Sequence, residues 1–170
     1  MPKRVSLKEF QEGLASRLKA AATEAAPSAR LGFEAGGASW LARLDSAGEV
    51  LQVPEIQRVP LTRDWFLGVA NIRGSLFGVS DFSAFLGAAP TTRGPENRLL
   101  LIGQPHGVNC ALLVSRLTGL RNVVDHAPET GAASADWVAG AWRDKDERVW
   151  REIDTGRLLS NREFLEIAVH

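Results

Sequence analysis

His106 and Cys110 stand four residues apart in "QPHGVNCALL", where a thiol and an imidazole come close along the chain. Such a pair performs nucleophilic chemistry when a third group orients the imidazole and the sulfur is held as thiolate. Gly107 intervenes and no orienting residue is suggested nearby, so the local reading is a turn histidine next to a buried small cysteine. A thiol hydrolase using Cys110 and His106 stays as an alternative of a different class. Asp81 and Asp154 could be paired carboxylates for acid/base work. Each instead follows a strand-like run and precedes a short apolar segment, where aspartate caps a turn by accepting backbone N–H bonds. His126, His170 and one cysteine offer no paired ligand spacing of the kind zinc requires. Neither a Gly-x-Ser-x-Gly elbow nor a phosphate-cradling glycine loop occurs. The expectation is a protein with no catalytic residue, no cofactor and no metal.

What remains is Asn71-Ile72-Arg73-Gly74, within "GVANIRGSLFGVSDF". Asn and Gly tolerate positive φ and suit a tight reversal between two apolar strands. Turn chemistry leaves Ile72 and Arg73 unexplained. A guanidinium beside a bend needs a partner if it is even partly buried, and a carboxylate matches its fork.

The elements that position these residues are mostly strands. Short apolar runs separated by Gly, Asn, Asp and Pro predict ten of them, over 31–34, 39–44, 49–56, 65–70, 75–79, 98–103, 108–114, 120–124, 137–142 and 148–153. A turn of helix follows Asp81 in "SAFLG", with Gly87 as its stop. Residues 125–136 read as a mobile surface loop, and the pattern of "NREFLEIAVH" does not settle whether it forms a short helix on the second half. Ahead of the strands, Ser6 and Glu9 form a capping box, and Phe10, Leu14 and Leu18 recur on one helical stripe until Pro27. That amphipathic helix packs either on its own domain or on a partner. Trp65, Trp137 and Trp142 sit at strand positions and read as core or rim, whereas Trp40 and Trp150 are harder to place.

The chain also repeats itself. "GGASWLARLDSAGEVL" parallels "QPHGVNCALLVSRLTGL", and "WFLGVANIRGSLFGVSDFSAFL" parallels "WVAGAWRDKDERVWREIDTGRLL", matching Gly68 with Gly140 and Asp81 with Asp154. Two copies of one five-stranded unit, joined through "GAAPTTRGPEN", would close two small barrels with a groove where they meet. The fold expected is all-β with minor helix: a helical extension over residues 1–28, then a domain over 29–170 with a first barrel at about 29–90 and a second at about 96–160.

Bulk composition limits the function classes. At 170 residues and 45% apolar composition the chain buries an adequate core. Twenty basic and twenty acidic residues cancel, which argues against a barrel that binds nucleic acid. No run approaches the ~20 apolar residues of a membrane span and the start lacks a secretory signal, so a cytoplasmic location is expected. The single cysteine excludes an internal disulfide.

"GEVLQVPEIQRVPLTRDWFLGVANIRGSLFGVSDFSAFL" resembles the CheW-like adaptor family of bacterial chemosensory systems, whose pattern runs from a Glu-Val strand through Gly-Val-x-Asn-Leu-Arg-Gly to Val-x-Asp-Leu. The likeness extends through "NRLLLIGQPHGVNCALLVSRLTGL" to the second half. It implies two SH3-like five-stranded barrels without catalytic activity. It also implies coupling of the cytoplasmic tip of a methyl-accepting chemoreceptor to the regulatory domain of a CheA-type histidine kinase. The receptor is then expected in the groove between the barrels. By the resemblance Arg73 pairs with Glu49, fixing a surface made of Glu49, Val50, Leu51, Asn71, Ile72, Arg73 and Gly74. The helical extension, "SWL" and "GVANIRG" are closest in type to the adaptors of type IV pilus twitching motility; a flagellar chemotaxis adaptor is the alternative. Gly78, Ser80, Arg43 and the charged "RDKDERVW" depart from the family pattern.

Overall fold

The computed structural model describes residues 29–131 and 135–169; the amphipathic helix expected within residues 1–28 lies outside them. The described chain is mostly β with a few single helical turns. Its strands are β1 (Ala29–Ala35), β2 (Ala38–Arg43), β3 (Glu49–Gln52), β4 (Phe66–Ile72), β5 (Ser75–Asp81), β6 (Arg98–Leu101), β7 (Cys110–Val114), β8 (Arg116–Asn122), β9 (Ala127–Pro128), β10 (Val138–Arg143) and β11 (Val149–Ile153). Strand β9 falls in the segment expected to be loop. Its two residues pair with Trp142 and Arg143, a ladder too short to leave a periodic signature.

Two sheets form, with strand orders β8, β1, β2, β11, β10, β9 and β3, β6, β7, β5, β4. Neither ladder closes into a ring among the described residues, which corrects the expected pair of closed five-stranded barrels. The pairing also ignores the division at 29–90 and 96–160. Strand β5 runs parallel to β7 of the second half, and β11 runs parallel to β2 of the first. Each half thus lends its hairpin to a strand of the other. The repeat itself is real at the level of local geometry: both hairpins carry an irregularity beside their glycine, between Phe66 and Gly68 and between Val138 and Gly140. Both hairpins also end in an aspartate that caps the next turn, Asp81 over Phe82–Phe85 and Asp154 over Thr155–Leu158.

The runs "RLLL" of β6 and "CALLV" of β7 are apolar throughout because both of their faces are covered. Leu100, Cys110, Leu112 and Val114 face the six-stranded sheet, in one core with Leu31, Phe33, Trp40 and Phe82. Leu99, Leu101, Ala111 and Leu113 face the other way, against Ala70, Ile72, Phe77 and Val79. A packed core therefore occupies the junction where a groove was expected. Trp40 stacks on Trp137 there, ring centroids 5.7 Å apart. Trp150 is fully buried in a smaller cluster with Leu41 and Val123, its indole N–H donating to Asp144 Oδ2 at 2.8 Å. An open concavity of about 570 Å³ lies elsewhere, lined by residues that include Gly36, Gly37 and the linker from Ala88 to Asn97.

Asp81 fastens that linker. Its buried carboxylate accepts the Ala84 N–H at 3.3 Å, the Thr91 N–H at 2.8 Å and the Thr91 hydroxyl at 2.7 Å. Asp81→Ala strands these donors and is expected to cost about 2 kcal/mol. The thermal midpoint should fall by about 5 °C, as read by circular dichroism. At the chain's end Asn161 caps a helical turn, Arg162–Leu165. Phe164 of that turn stacks on Trp65 at 5.7 Å, and Thr62 bridges Ala168, so the segment packs on residues of the first half.

Three carboxylates make stability depend on acid. Hydrogen bonding from Arg116 holds Glu34 below its ordinary 4.5, and hydrogen bonds from Arg43 and from the Trp150 indole hold Asp45 and Asp144 below 3.8. A depressed carboxylate stabilises the fold above its unfolded pKa and loses that contribution as pH falls through the folded value. The melting temperature is expected to be flat near neutrality and to drop below about pH 4, in a pH series of thermal melts.

Candidate partner-binding surface

Arg73 and Gly74 form a two-residue reversal between β4 and β5, with φ of +53° and +83°. Positive φ at both central positions is the type I′ requirement, and its twist matches that of the flanking strands. The expected turn is present, but the burden falls on Arg73 rather than on Asn71. Asn71 sits at the end of β4, and its side-chain oxygen accepts the Gly74 N–H at 2.8 Å. A non-glycine residue in the left-handed region is disfavoured, so something must hold Arg73 there.

Glu49 does so. Arg73 Nη1 donates to Glu49 Oε2 at 2.7 Å, and Nη2 donates to Oε1, a two-pronged fork onto the first residue of β3. The same hydrogen bond raises the guanidinium pKa further above its ordinary value, so the arginine stays charged. A second fork, Arg116 on Glu34, joins the neighbouring strands β1 and β8. The Glu49–Arg73 pair differs in what it connects, because β3 and β4 are the two outer strands of their sheet. Gln57, between β3 and β4, exchanges backbone hydrogen bonds of 2.7 and 2.9 Å with Val69. One bridge and one ion pair thus tie edges that no continuous ladder joins. Gly68 permits the approach: a Cβ there would lie 2.0 Å from the Gln57 carbonyl oxygen.

The other expected contact residues divide. Val50 and Leu51 are half-buried, Val50 packing on the inter-sheet core and Leu51 on the core behind it. Ile72 is only 8% exposed and belongs to that second core, so its side chain is not presented to a partner as expected. Turn position does not reveal facing; alternation does. Asn71 and its cross-strand neighbour Leu76 point outward, and Leu76 is 62% exposed. Leu76 was missing from the expected set although Phe77, buried next to it, implies an outward Leu76 by the period of two. The surface the structure assembles is a charged fork, Glu49–Arg73, beside Asn71 and an exposed leucine. Arg73 itself is 69% exposed.

The thiol alternative fails on geometry. Cys110 is buried and desolvation pushes its thiol up to about 12. His106 is exposed at the end of a single helical turn, with its ring against Gly156. Such a thiol is protonated at neutral pH and shielded from substrate. Modification by a thiol reagent at pH 7.5 is expected to be slow in the native protein and fast after denaturation; rapid native labelling would restore the alternative. Of the residues departing from the family pattern, Arg43 pairs with Asp45, Arg143 pairs with Glu129 and Glu147, and Gly78 lies under the Phe66 ring.

Known proteins resemble this chain in sequence and fold. The chain is 28% identical over 144 residues to Protein PilI of Pseudomonas aeruginosa, spanning 82% of this chain and 79% of that one. The crystal structure of scaffolding protein TtCheW from Thermoanaerobacter tengcongensis shares the fold, with a TM-score of 0.64 over 75% of this chain and 84% of that chain at 18% identity. The pattern of the CheW-like domain matches residues 30–163, and with most of its length so matched the chain belongs to the CheW-like family.

Proposed function

We propose that this protein is a non-enzymatic chemosensory adaptor, joining the cytoplasmic tip of a methyl-accepting chemoreceptor to the regulatory domain of a CheA-type histidine kinase in control of type IV pilus twitching motility. The observation that carries the reading is the Glu49–Arg73 fork, held on an exposed rim of a chain whose residues 30–163 are CheW-like. Leu76 and Asn71 flank it, with Val50 and Leu51 as half-buried shoulders. The apolar contacts supply affinity and the ions fix register. The pilus assignment draws on the likeness to Protein PilI.

No helix among the described residues is long and apolar enough to cross a membrane. The adaptor is read as acting in the cytoplasm, recruited to membrane receptor arrays by its partners. Each sheet then corresponds to one of the family's two SH3-like units, despite the exchange of strands between them. Calorimetric titration with a purified kinase regulatory domain and a receptor tip fragment tests the coupling. Binding of both at tens of micromolar or tighter is expected, the range of transient contacts. Binding of neither would discard the reading. A deletion strain that loses surface twitching while swimming normally supports the pilus role, and the reverse phenotype would assign the protein to flagellar chemotaxis.

A further inference from the structure

Leu61, between β3 and β4, has φ of +58°, in the left-handed region where a bulky side chain is an outlier. It is also 81% exposed. The chain's end holds it there: the Val169 N–H donates to the Leu61 carbonyl at 3.0 Å, and the Arg63 N–H donates to the Ile167 carbonyl at 2.7 Å. The Thr62 hydroxyl closes the turn on the Val59 carbonyl at 2.9 Å. Val169 and Leu165 are more than half exposed as well. A strained backbone that displays a leucine among other exposed apolar residues marks a contact surface.

Beside this knob lies a hole. A concavity of about 390 Å³ is lined by residues 58–64 and Phe66. Arg58 and Asp64 stand three residues before and after Leu61, both exposed and neither ion-paired to another described residue. We propose that this loop is the interface of a two-fold dimer of the chain, in which Leu61 of each copy enters the concavity of the other and Arg58 of each meets Asp64 of the other. The charge pattern selects a second copy as the occupant. A two-fold axis near Leu61 carries position 58 of one copy onto position 64 of the other, and these positions hold opposite charges. A patch that carries its own knob, its own hole and both signs of charge complements itself, which is what an isologous contact requires. One loop and a chain end make a small contact, so the dimer belongs to the weak, transient class.

Sedimentation of the full chain over about 10–500 µM should show the mean mass rising from that of a monomer toward that of a dimer. Leu61→Gly removes the knob and relaxes the backbone, so association should weaken about tenfold or more while the melting temperature holds or rises. Arg58→Asp and Asp64→Arg should each stay monomeric alone, because like charges then face across the axis. Mixed together they should associate, each copy supplying the charge the other has lost. A chain monomeric throughout the range would overturn the proposal, as would undiminished association of Leu61→Gly, or charge variants that associate alone as the unaltered chain does or fail to associate when mixed. Loss of kinase-domain binding in Leu61→Gly, with the unaltered chain monomeric, would overturn it too and assign the surface to that partner.

Discussion

Gly68→Ala is expected to lower the thermal midpoint by about 10 °C or more. Gly68 has φ of +131°, and a Cβ would sit 2.0 Å from the Gln57 carbonyl oxygen and 2.8 Å from its carbon. Those atoms are backbone and have no rotamer to escape into. Relief requires the two segments to part by more than an ångström, which breaks the hydrogen bonds of 2.7 and 2.9 Å between Gln57 and Val69. Strain at such a φ costs about 1–3 kcal/mol, and each lost bond adds about 1 kcal/mol. Gly74→Ala is the control: its φ is +83°, yet nothing lies within 4 Å of the added carbon. It should cost about 1 kcal/mol. Scanning calorimetry of both variants checks the comparison, and equal melting points would mean that the approach of Gln57 to Gly68 does not limit stability.

Arg73→Ala is expected to weaken binding of the kinase regulatory domain about tenfold or more while leaving the melting temperature nearly unchanged. The guanidinium is largely in water, and its fold-side partner Glu49 stays hydrated when the arginine is removed. What the fork secures is the direction of the hairpin and the placement of Asn71 and Leu76. Glu49→Ala should weaken binding to a similar degree, and the double variant should be little worse than either single one, because each removes the same fork. Arg73→Lys should recover part of the loss at most, since an ammonium cannot grip both carboxylate oxygens at once. Losses that add in the double variant would show that the two side chains act separately. A clear fall in melting temperature with affinity intact would assign the pair to fastening β3 against the β4–β5 turn.

Both expectations rest on features of unequal visibility in the chain. The type I′ reversal, the capping roles of Asp81 and Asp154, and the paired glycines Gly68 and Gly140 were legible because each follows from one residue's own chemistry within a short stretch. The Glu49–Arg73 contact came from resemblance. Spacing along the chain does not say that two outer strands of one sheet meet. Turn position alone puts Ile72 outward and passes over Leu76, because a turn residue's facing depends on the register of the hairpin, read from where Phe77 must be buried.

Local order, then, was written in the sequence: strand-length apolar runs, turns set by glycine and asparagine, caps set by aspartate, and a repeated unit. Partner choice was not. Alternating or continuous apolar residues specify which faces are covered, but any strand with the right faces satisfies them. Only the folded chain decided that β5 lies beside β7 and β11 beside β2. That exchange covers both faces of β6 and β7 and fills with leucine and tryptophan the junction where two separate barrels would have left a groove.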